Sequence, residues 1–171
     1  MALGFSSGCC REVGLLLRSL TSSKPMGRVA ESGTGVGIGT AWMHSGLGDA
    51  ASLVTVEREA RLAHFAAELF SDDHRVQVLH GDWTQILGMA PFDVFFCDGG
   101  GKRDDPDAVI SALSPGGVLV LDDFQHSPTW PPHADGHVDE LRMTYLEDPR
   151  LVTCQVRVTD AMVVVLGVRR A

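Results

Sequence analysis

Short runs of apolar and β-branched residues alternate along the 171-residue chain with segments of helical length. Stacked βαβ units leave this pattern. The runs predict strands at Arg28 to Ser32, Ser52 to Glu57, Val76 to His80, Asp93 to Cys97 and Val118 to Leu121. The fourth is apolar after its first residue, as an interior parallel strand covered on both faces should be. Helices are expected over about Gly37 to Gly46 and Arg58 to Phe70, the latter with Leu62, Phe65, Ala66 and Leu69 on one apolar face. Another is expected over Pro106 to Leu113, ended by the turn signal Ser114-Pro115-Gly116-Gly117.

The C-terminal third reads differently. Residues 124–136, with three prolines, predict an irregular loop. Asp135 is expected to cap a final helix that runs through Asp148 and is stopped by Pro149. Leu151 to Val158 and Ala161 to Val168 then form two strands joined by Thr159-Asp160, a turn short enough to make them antiparallel. The expected fold is a doubly wound α/β sheet of seven strands, five parallel and the last two a hairpin. Residues 1–26 are read as one helix and a linker preceding a ligand-binding domain over residues 27–171.

Composition narrows the function classes. With 44% hydrophobic and 21% charged residues the chain has the make-up of an ordinary soluble domain. It contains no apolar run near the roughly 18 residues of a transmembrane helix. Arg11 and Glu12 interrupt the N-terminal apolar stretch, so it does not read as a signal peptide, and a cytoplasmic location without membrane association is expected. The four cysteines lack the spacing of a zinc site and are too few for a disulfide scaffold. A formal charge of −8 disfavours nucleic acid as the main partner. A small molecule is the expected partner, and the chain is read as either a monomer or a homodimer.

The strongest motif is Glu31-Ser32-Gly33-Thr34-Gly35-Val36-Gly37-Ile38-Gly39, at the end of the first strand and the start of a helix. Glycines there allow a tight turn and close approach of a ligand to the backbone, and a helix N-terminus offers free N–H groups. A plain strand-to-helix turn is the other reading. Glu57 ends the second strand, where an acidic side chain accepts the ribose hydroxyls of a nucleoside. The dinucleotide fingerprint GxGxxG requires a glycine where this chain has Ile38 or Thr40, so neither frame fits.

An acidic residue two before GxGxG resembles the first motif of the class I S-adenosylmethionine-dependent methyltransferases. Within that superfamily, VTVE at 54–57, GD at 81–82, FDVFFCD at 92–98, LSPGGVLVLDD at 113–123 and EDPRL at 147–151 resemble the catechol O-methyltransferase-like branch. The resemblance runs from about Arg28 to the C-terminus. It implies a Rossmann-like sheet in the order 3-2-1-4-5-7-6 and S-adenosylmethionine as cofactor. By position it places Glu31, Gly33, Thr34, Gly35 and Gly37 at the methionine moiety, Glu57 and Arg58 at the ribose, and Asp82 with Trp83 at the adenine. Asp82 also reads as a turn residue. Where relatives carry a serine near the methionine carboxylate this chain has Gly39, with Thr40 as the substitute.

Asp98 ends the fourth strand and Asp122 with Asp123 the fifth. On neighbouring strands about 4.8 Å apart these carboxylates converge on the edge where open α/β sheets bind ligands. Their repulsion is relieved either by a retained proton or by a divalent ion such as Mg²⁺ or Mn²⁺. The resembling branch holds a divalent ion with Asp, Asp and Asn, and Asp123 takes the Asn position. The alternative is that Asp122 and Asp123 shape a turn and Asp98 contacts the cofactor alone. The branch's lysine falls three residues after the first Asp, whereas Lys102 lies four after Asp98, beyond three glycines. Lys102 therefore reads either as an assistant to catalysis or as part of a surface loop.

Among His126, His133 and His137, His126 is the candidate base for a metal-free reaction. Trp130 with its flanking prolines reads as a cover for an aromatic acceptor or as a structural loop. The expected activity is O-methylation of a small hydroxylated, catechol-like acceptor with divalent-metal assistance. Metal-free transfer with a histidine base, and cofactor binding without transfer, are the alternatives.

Overall fold

The computed structural model describes residues 8–171. In chain order the elements are α1 (Arg11–Ser22), β1 (Arg28–Ser32), α2 (Ile38–His44), β2 (Ser52–Glu57), α3 (Ala60–Leu69), β3 (Val76–His80), a 3-10 helix (Trp83–Met89) and β4 (Phe92–Cys97). There follow α4 (Pro106–Ser111), β5 (Leu113–Gln125), β6 (His133–Ala134), β7 (His137–Val138), α5 (Glu140–Leu146), β8 (Leu151–Arg157) and β9 (Met162–Arg169). Seven strands form one sheet in the order β3-β2-β1-β4-β5-β9-β8, and β6 pairs with β7 in a separate ribbon. With the ribbon set aside, this is the expected order 3-2-1-4-5-7-6. The first five strands run parallel and the last two antiparallel.

Alternation along each strand builds two apolar layers, since successive side chains point to opposite faces. Val94 and Phe96 of β4, with Val29, Val120 and Val164, meet Val13 and Leu17 of α1 and Met43 of α2. Phe95 and Cys97, with Ala30, Leu119 and Val165, meet Ile86, Val109, Ile110 and Tyr145 on the other face. Helix α1 thus belongs to the core of the same domain and is not a separate N-terminal unit. Gly14 lets it close on Trp42 of α2, because a side chain at that position would strike the indole.

Several expectations are corrected. The apolar side of α3 is Leu62, Ala63 and Ala66, continued by Phe70, while Phe65 and Leu69 are exposed. At 100° per residue these four span an arc of about 100°, as wide as that of the expected set but turned by about 60° around the helix axis. Strand β5 starts at Leu113, not Val118, because the Ser-Pro-Gly-Gly segment forms an irregularity within the strand. Pairing with β4 shifts there, and Ser114 Oγ donates to Phe92 O and Asp93 Oδ1 at 2.8 Å.

The helix expected from Asp135 begins only at Glu140. Asp135 and Gly136 instead take positive φ (51° and 81°) at the tip of the β6–β7 ribbon. Asp-Gly is a favoured pair for such hairpin turns.

The cap of α5 is Asp139, which accepts from Arg142 N at 3.1 Å and from Arg142 Nε at 3.0 Å. Arg142 is almost fully buried, lies 5.1 Å from the centre of the Phe124 ring and donates to Gln125 O and Gln155 Oε1. Asp139→Ala removes both the cap and the counter-ion of a buried guanidinium, a loss of about 3 kcal/mol. Asp139→Asn keeps the cap and should lose less. Urea denaturation of the two variants checks the order.

Candidate active site

The glycine loop after β1 is held by its own hydrogen bonds. Gly33 N and Thr34 N donate to Val56 O, at 2.9 and 3.2 Å, and Gly37 N donates to Thr34 O at 2.8 Å. Gly35 N donates to Glu57 Oε2 at 2.8 Å. The expectation that the loop offers free amides is therefore corrected for these four. A pyrophosphate would have to compete for N–H groups that are already taken, which argues against a dinucleotide on physical grounds.

Gly33 is required for a different reason from the one the sequence suggests. Its φ is +93°, and a Cβ there would lie 2.7 Å from Gly99 N, so the obstacle is the backbone after β4 before any ligand. Ser32 O accepts from both Asp98 N (3.1 Å) and Gly99 N (2.5 Å) and fixes that approach.

Glu31 is sealed below the loop. Thr55 Oγ1 donates to its Oε2 at 2.7 Å, Thr40 Oγ1 donates to the same oxygen, and Thr34 Oγ1 lies 2.6 Å from Thr55 Oγ1. Burial, and secondarily the Asp98 and Asp122 charges, push the Glu31 carboxyl up to about 8 against the pull of the two hydroxyls. Thr40 is fully buried and spends its hydroxyl on Glu31 Oε2. A Cβ at Gly39 would run into Glu31 Oε1, which accounts for glycine there. Thr55, the link between loop and carboxyl, gave no sign in the sequence because it sits mid-strand among valines.

Glu57 stands at the lip. Its carboxylate accepts from Gly35 N and from Glu59 N (2.8 Å each), and lone pairs remain for a ligand. Asp82 caps the 3-10 helix, accepting from Thr84 N at 3.0 Å and Thr84 Oγ1 at 2.7 Å. Those bonds, the backbone one foremost, hold its carboxyl below the usual range. Asp82 also lines a 320 Å³ cavity with Trp83, Glu57 and Arg58, so its structural role and a place at the cleft coexist.

The three carboxylates do converge. One oxygen each from Asp98, Asp122 and Asp123 lies within 4.8 Å of the others. A bulge in β5, where pairing with β9 shifts between Leu121 and Phe124, and a left-handed Asp123 (φ 62°) make the convergence local. Burial and then the neighbouring carboxylates push Asp122 up to about 8, and burial followed by Asp123 raises Asp98. Asp122 Oδ1 is buried without a hydrogen-bond partner.

Lys102 is buried beside this cluster, so the surface-loop reading is set aside. Its Nζ donates to Asp122 O at 3.1 Å, lies 3.8 Å from Asp122 Oδ1 and sits 5.8 Å from the centre of the Phe124 ring. Tyr145 Oη donates to Lys102 O at 2.9 Å and holds the residue from α5. His126 is exposed, with its backbone N–H given to Ala161 O, and lines none of the cavities around the cluster.

Two further cavities meet at the cluster. One of 620 Å³ runs from Gly33, Gly35 and Glu57 to Asp98 and Asp123. The other, of 280 Å³, is lined by Lys102, Arg103, Asp122, Phe124 and Leu141. Asp98, Gly99 and Asp123 form the wall common to both. Gly99, Arg103, Phe124 and Leu141 were missed in the sequence, although Arg103 adjoins Lys102.

Residues 10–126 match the family described as protein-L-isoaspartate(D-aspartate) O-methyltransferase. The chain belongs to that methyltransferase family. A Mycobacterium avium protein whose name places it provisionally among O-methyltransferases is 31% identical over 119 residues, 64% of this chain and 53% of its own length. The methyltransferase chain thus spans about half of that relative.

The fold is shared with the cofactor-bound Rv0187 protein from MTB, with TM-score 0.81, 23% identity and coverage of 97% of this chain and 83% of that one. It is shared equally with an O-methyltransferase from Bacillus cereus in complex with SAH, with TM-score 0.78, 20% identity and coverage of 96% and 84%. The class I methyltransferase assignment read from the motifs therefore stands.

Two outcomes follow from the loop. Gly33→Ala should cost about 2–3 kcal/mol of folding stability in urea denaturation before any ligand is added. Glu31 carries a proton in the fold up to about pH 8 but loses it near 4.5 when unfolded, so its contribution is full below 4.5 and declines as pH rises towards 8. Glu31→Gln should flatten the fall in melting temperature between pH 5 and pH 8.

Proposed function

We propose that the protein is an S-adenosylmethionine-dependent O-methyltransferase whose acceptor is a small hydroxylated, catechol-like molecule. The observation that carries this reading is the wall of Asp98, Gly99 and Asp123 shared by the two cavities. A nucleoside lying against Glu57 and the glycine loop would present its reactive end to that wall, and an acceptor in the smaller pocket would meet it from the other side. Such alignment is most of what transfer from a sulfonium requires of a protein. The Bacillus cereus neighbour, bound to SAH, supports the choice of cofactor.

In this reading Glu57 takes the ribose hydroxyls, with Arg58 beside it, and Asp82 and Trp83 flank the base. The donor set at the wall is all oxygen, and Asp122 Oδ1 is buried with no hydrogen-bond partner, its nearest cation being Lys102 Nζ at 3.8 Å. Asp98, Asp122 and Asp123 fit a divalent cation and would hold it. Such an ion, when bound, supplies a Lewis acid that lowers the pKa of a hydroxyl. Lys102 holds the β5 backbone at Asp122 and keeps a positive charge beside the acceptor oxygen. Phe124 and Leu141 exclude water from its ring.

A second reading is favoured by Lys102 itself. Its ammonium, 3.8 Å from Asp122 Oδ1, supplies a cation to the cluster without any metal and stabilises the acceptor oxygen as that oxygen gives its proton to a carboxylate of the cluster.

Calorimetry with S-adenosylhomocysteine should detect binding, and Glu57→Ala should weaken it by about 1–3 kcal/mol. Turnover of catechol should vanish with a chelator and return with Mg²⁺ or Mn²⁺, and Asp122→Asn should abolish it while keeping most cofactor affinity. Turnover that persists in chelator and disappears in Lys102→Met moves the assignment to the second reading. Methylation of an isoaspartyl peptide with none of catechol would refute the proposed acceptor class.

A further inference from the structure

Resting on the methyltransferase reading, the 280 Å³ pocket holds one further clue to its acceptor. It lies at the small end of ligand sites, room for about one ring. Phe124 and Leu141 supply apolar wall, and the carboxylate cluster stands at one end. Two cations, Lys102 and Arg103, line it as well. Lys102 is committed to Asp122.

Arg103 is committed to nothing. Among the described residues it makes no hydrogen bond and lies within 4.0 Å of no carboxylate, although the chain carries a formal charge of −8. Its acidic neighbours in sequence are occupied. Asp104 Oδ2 accepts from Gly101 N at 3.1 Å, and Asp105 Oδ1 caps α4 by accepting from Ala108 N at 2.9 Å. Arg75, Arg142, Arg150 and Arg157 each hold a carboxylate within 3.0 Å, and of the arginines that hold none Arg103 alone lines this pocket. A guanidinium is a planar fork matched to a carboxylate, and this one is exposed to solvent beside the pocket.

We propose that Arg103 determines acceptor specificity by binding a carboxylate carried on the hydroxylated aromatic ring, with the reacting hydroxyl directed to Asp98, Asp122 and Asp123. The charge pattern sets the direction of entry. An anionic substituent is drawn to the arginine, so the hydroxyl is left at the end where the two cavities meet. Catechol, lacking the substituent, would bind without a preferred direction. A cationic ring would be turned the wrong way round.

The test measures binding, so that it does not depend on turnover. With S-adenosylhomocysteine and Mg²⁺ present, the dissociation constants of 3,4-dihydroxybenzoate, catechol and dopamine are determined by calorimetry for the wild type, Arg103→Gln and Arg103→Lys. The wild type should bind 3,4-dihydroxybenzoate on the order of 10-fold or more tighter than catechol, as expected for a charge-assisted hydrogen bond. Arg103→Gln should erase that ratio by weakening 3,4-dihydroxybenzoate far more than catechol, and Arg103→Lys should restore part of it. Equal melting temperatures confirm that the variants fold.

A ratio preserved in Arg103→Gln, tighter binding of dopamine than of 3,4-dihydroxybenzoate, or no binding of any of the three overturns the proposal. If 3,4-dihydroxybenzoate binds through Arg103 but neither it nor catechol is methylated, the methyltransferase reading fails while the arginine assignment holds.

Discussion

The contact on which the rest depends is the close approach of two backbones, Gly33 after β1 and Gly99 after β4, tied together by Ser32 O. These strands are neighbours at the place where the sheet order reverses, since β1 leads on to β2 and β3 while β4 leads on to β5. Open sheets of this kind leave a crevice at that reversal. The approach works only because neither Gly33 nor Gly99 has a side chain. It brings Asp98 beside the glycine loop, and the pairing of β4 with β5 brings Asp122 and Asp123 beside Asp98. Two missing Cβ atoms, at Gly33 and Gly99, therefore decide whether the two cavities share a wall.

The carboxylate cluster is an electrostatic problem that the fold solves only in part. Burying acids beside one another raises their pKa values, and the nearby ammonium of Lys102 offsets some of that cost. The bulge in β5 shapes the outcome. It leaves Asp122 buried and Asp123 exposed, although the two are adjacent in sequence. Tyr145, reaching from α5 to Lys102 O, extends the same arrangement to the C-terminal part of the chain.

The parallel sheet was legible because buried parallel strands leave continuous apolar runs and glycine-rich turns. The C-terminal hairpin was legible from Thr159-Asp160. What escaped was local chemistry that competes with pattern. Asp135 reads as a cap until Asp-Gly is recognised as a hairpin tip, and Ser-Pro-Gly-Gly reads as a strand break until the bulge is seen. At the site, the acidic positions announced themselves by lying at strand ends. Thr55, Phe124 and Leu141 did not, because a buried hydroxyl or a pocket wall has the same sequence signature as ordinary core. Glu31 and Thr40, both expected at the ligand, are joined to each other by a hydrogen bond that the sequence did not announce.

The internally bonded loop has an entropic meaning. A phosphate-binding loop with open amides is ordered in part by its ligand, and some of its conformational entropy is lost at binding. Here Gly33, Thr34, Gly35 and Gly37 have already given their N–H groups to the protein. Their ordering is completed during folding, so a ligand reaching this loop meets N–H groups that are already bonded and orders little of the chain there. The polar groups still open to it stand at the lip, on the Glu57 carboxylate.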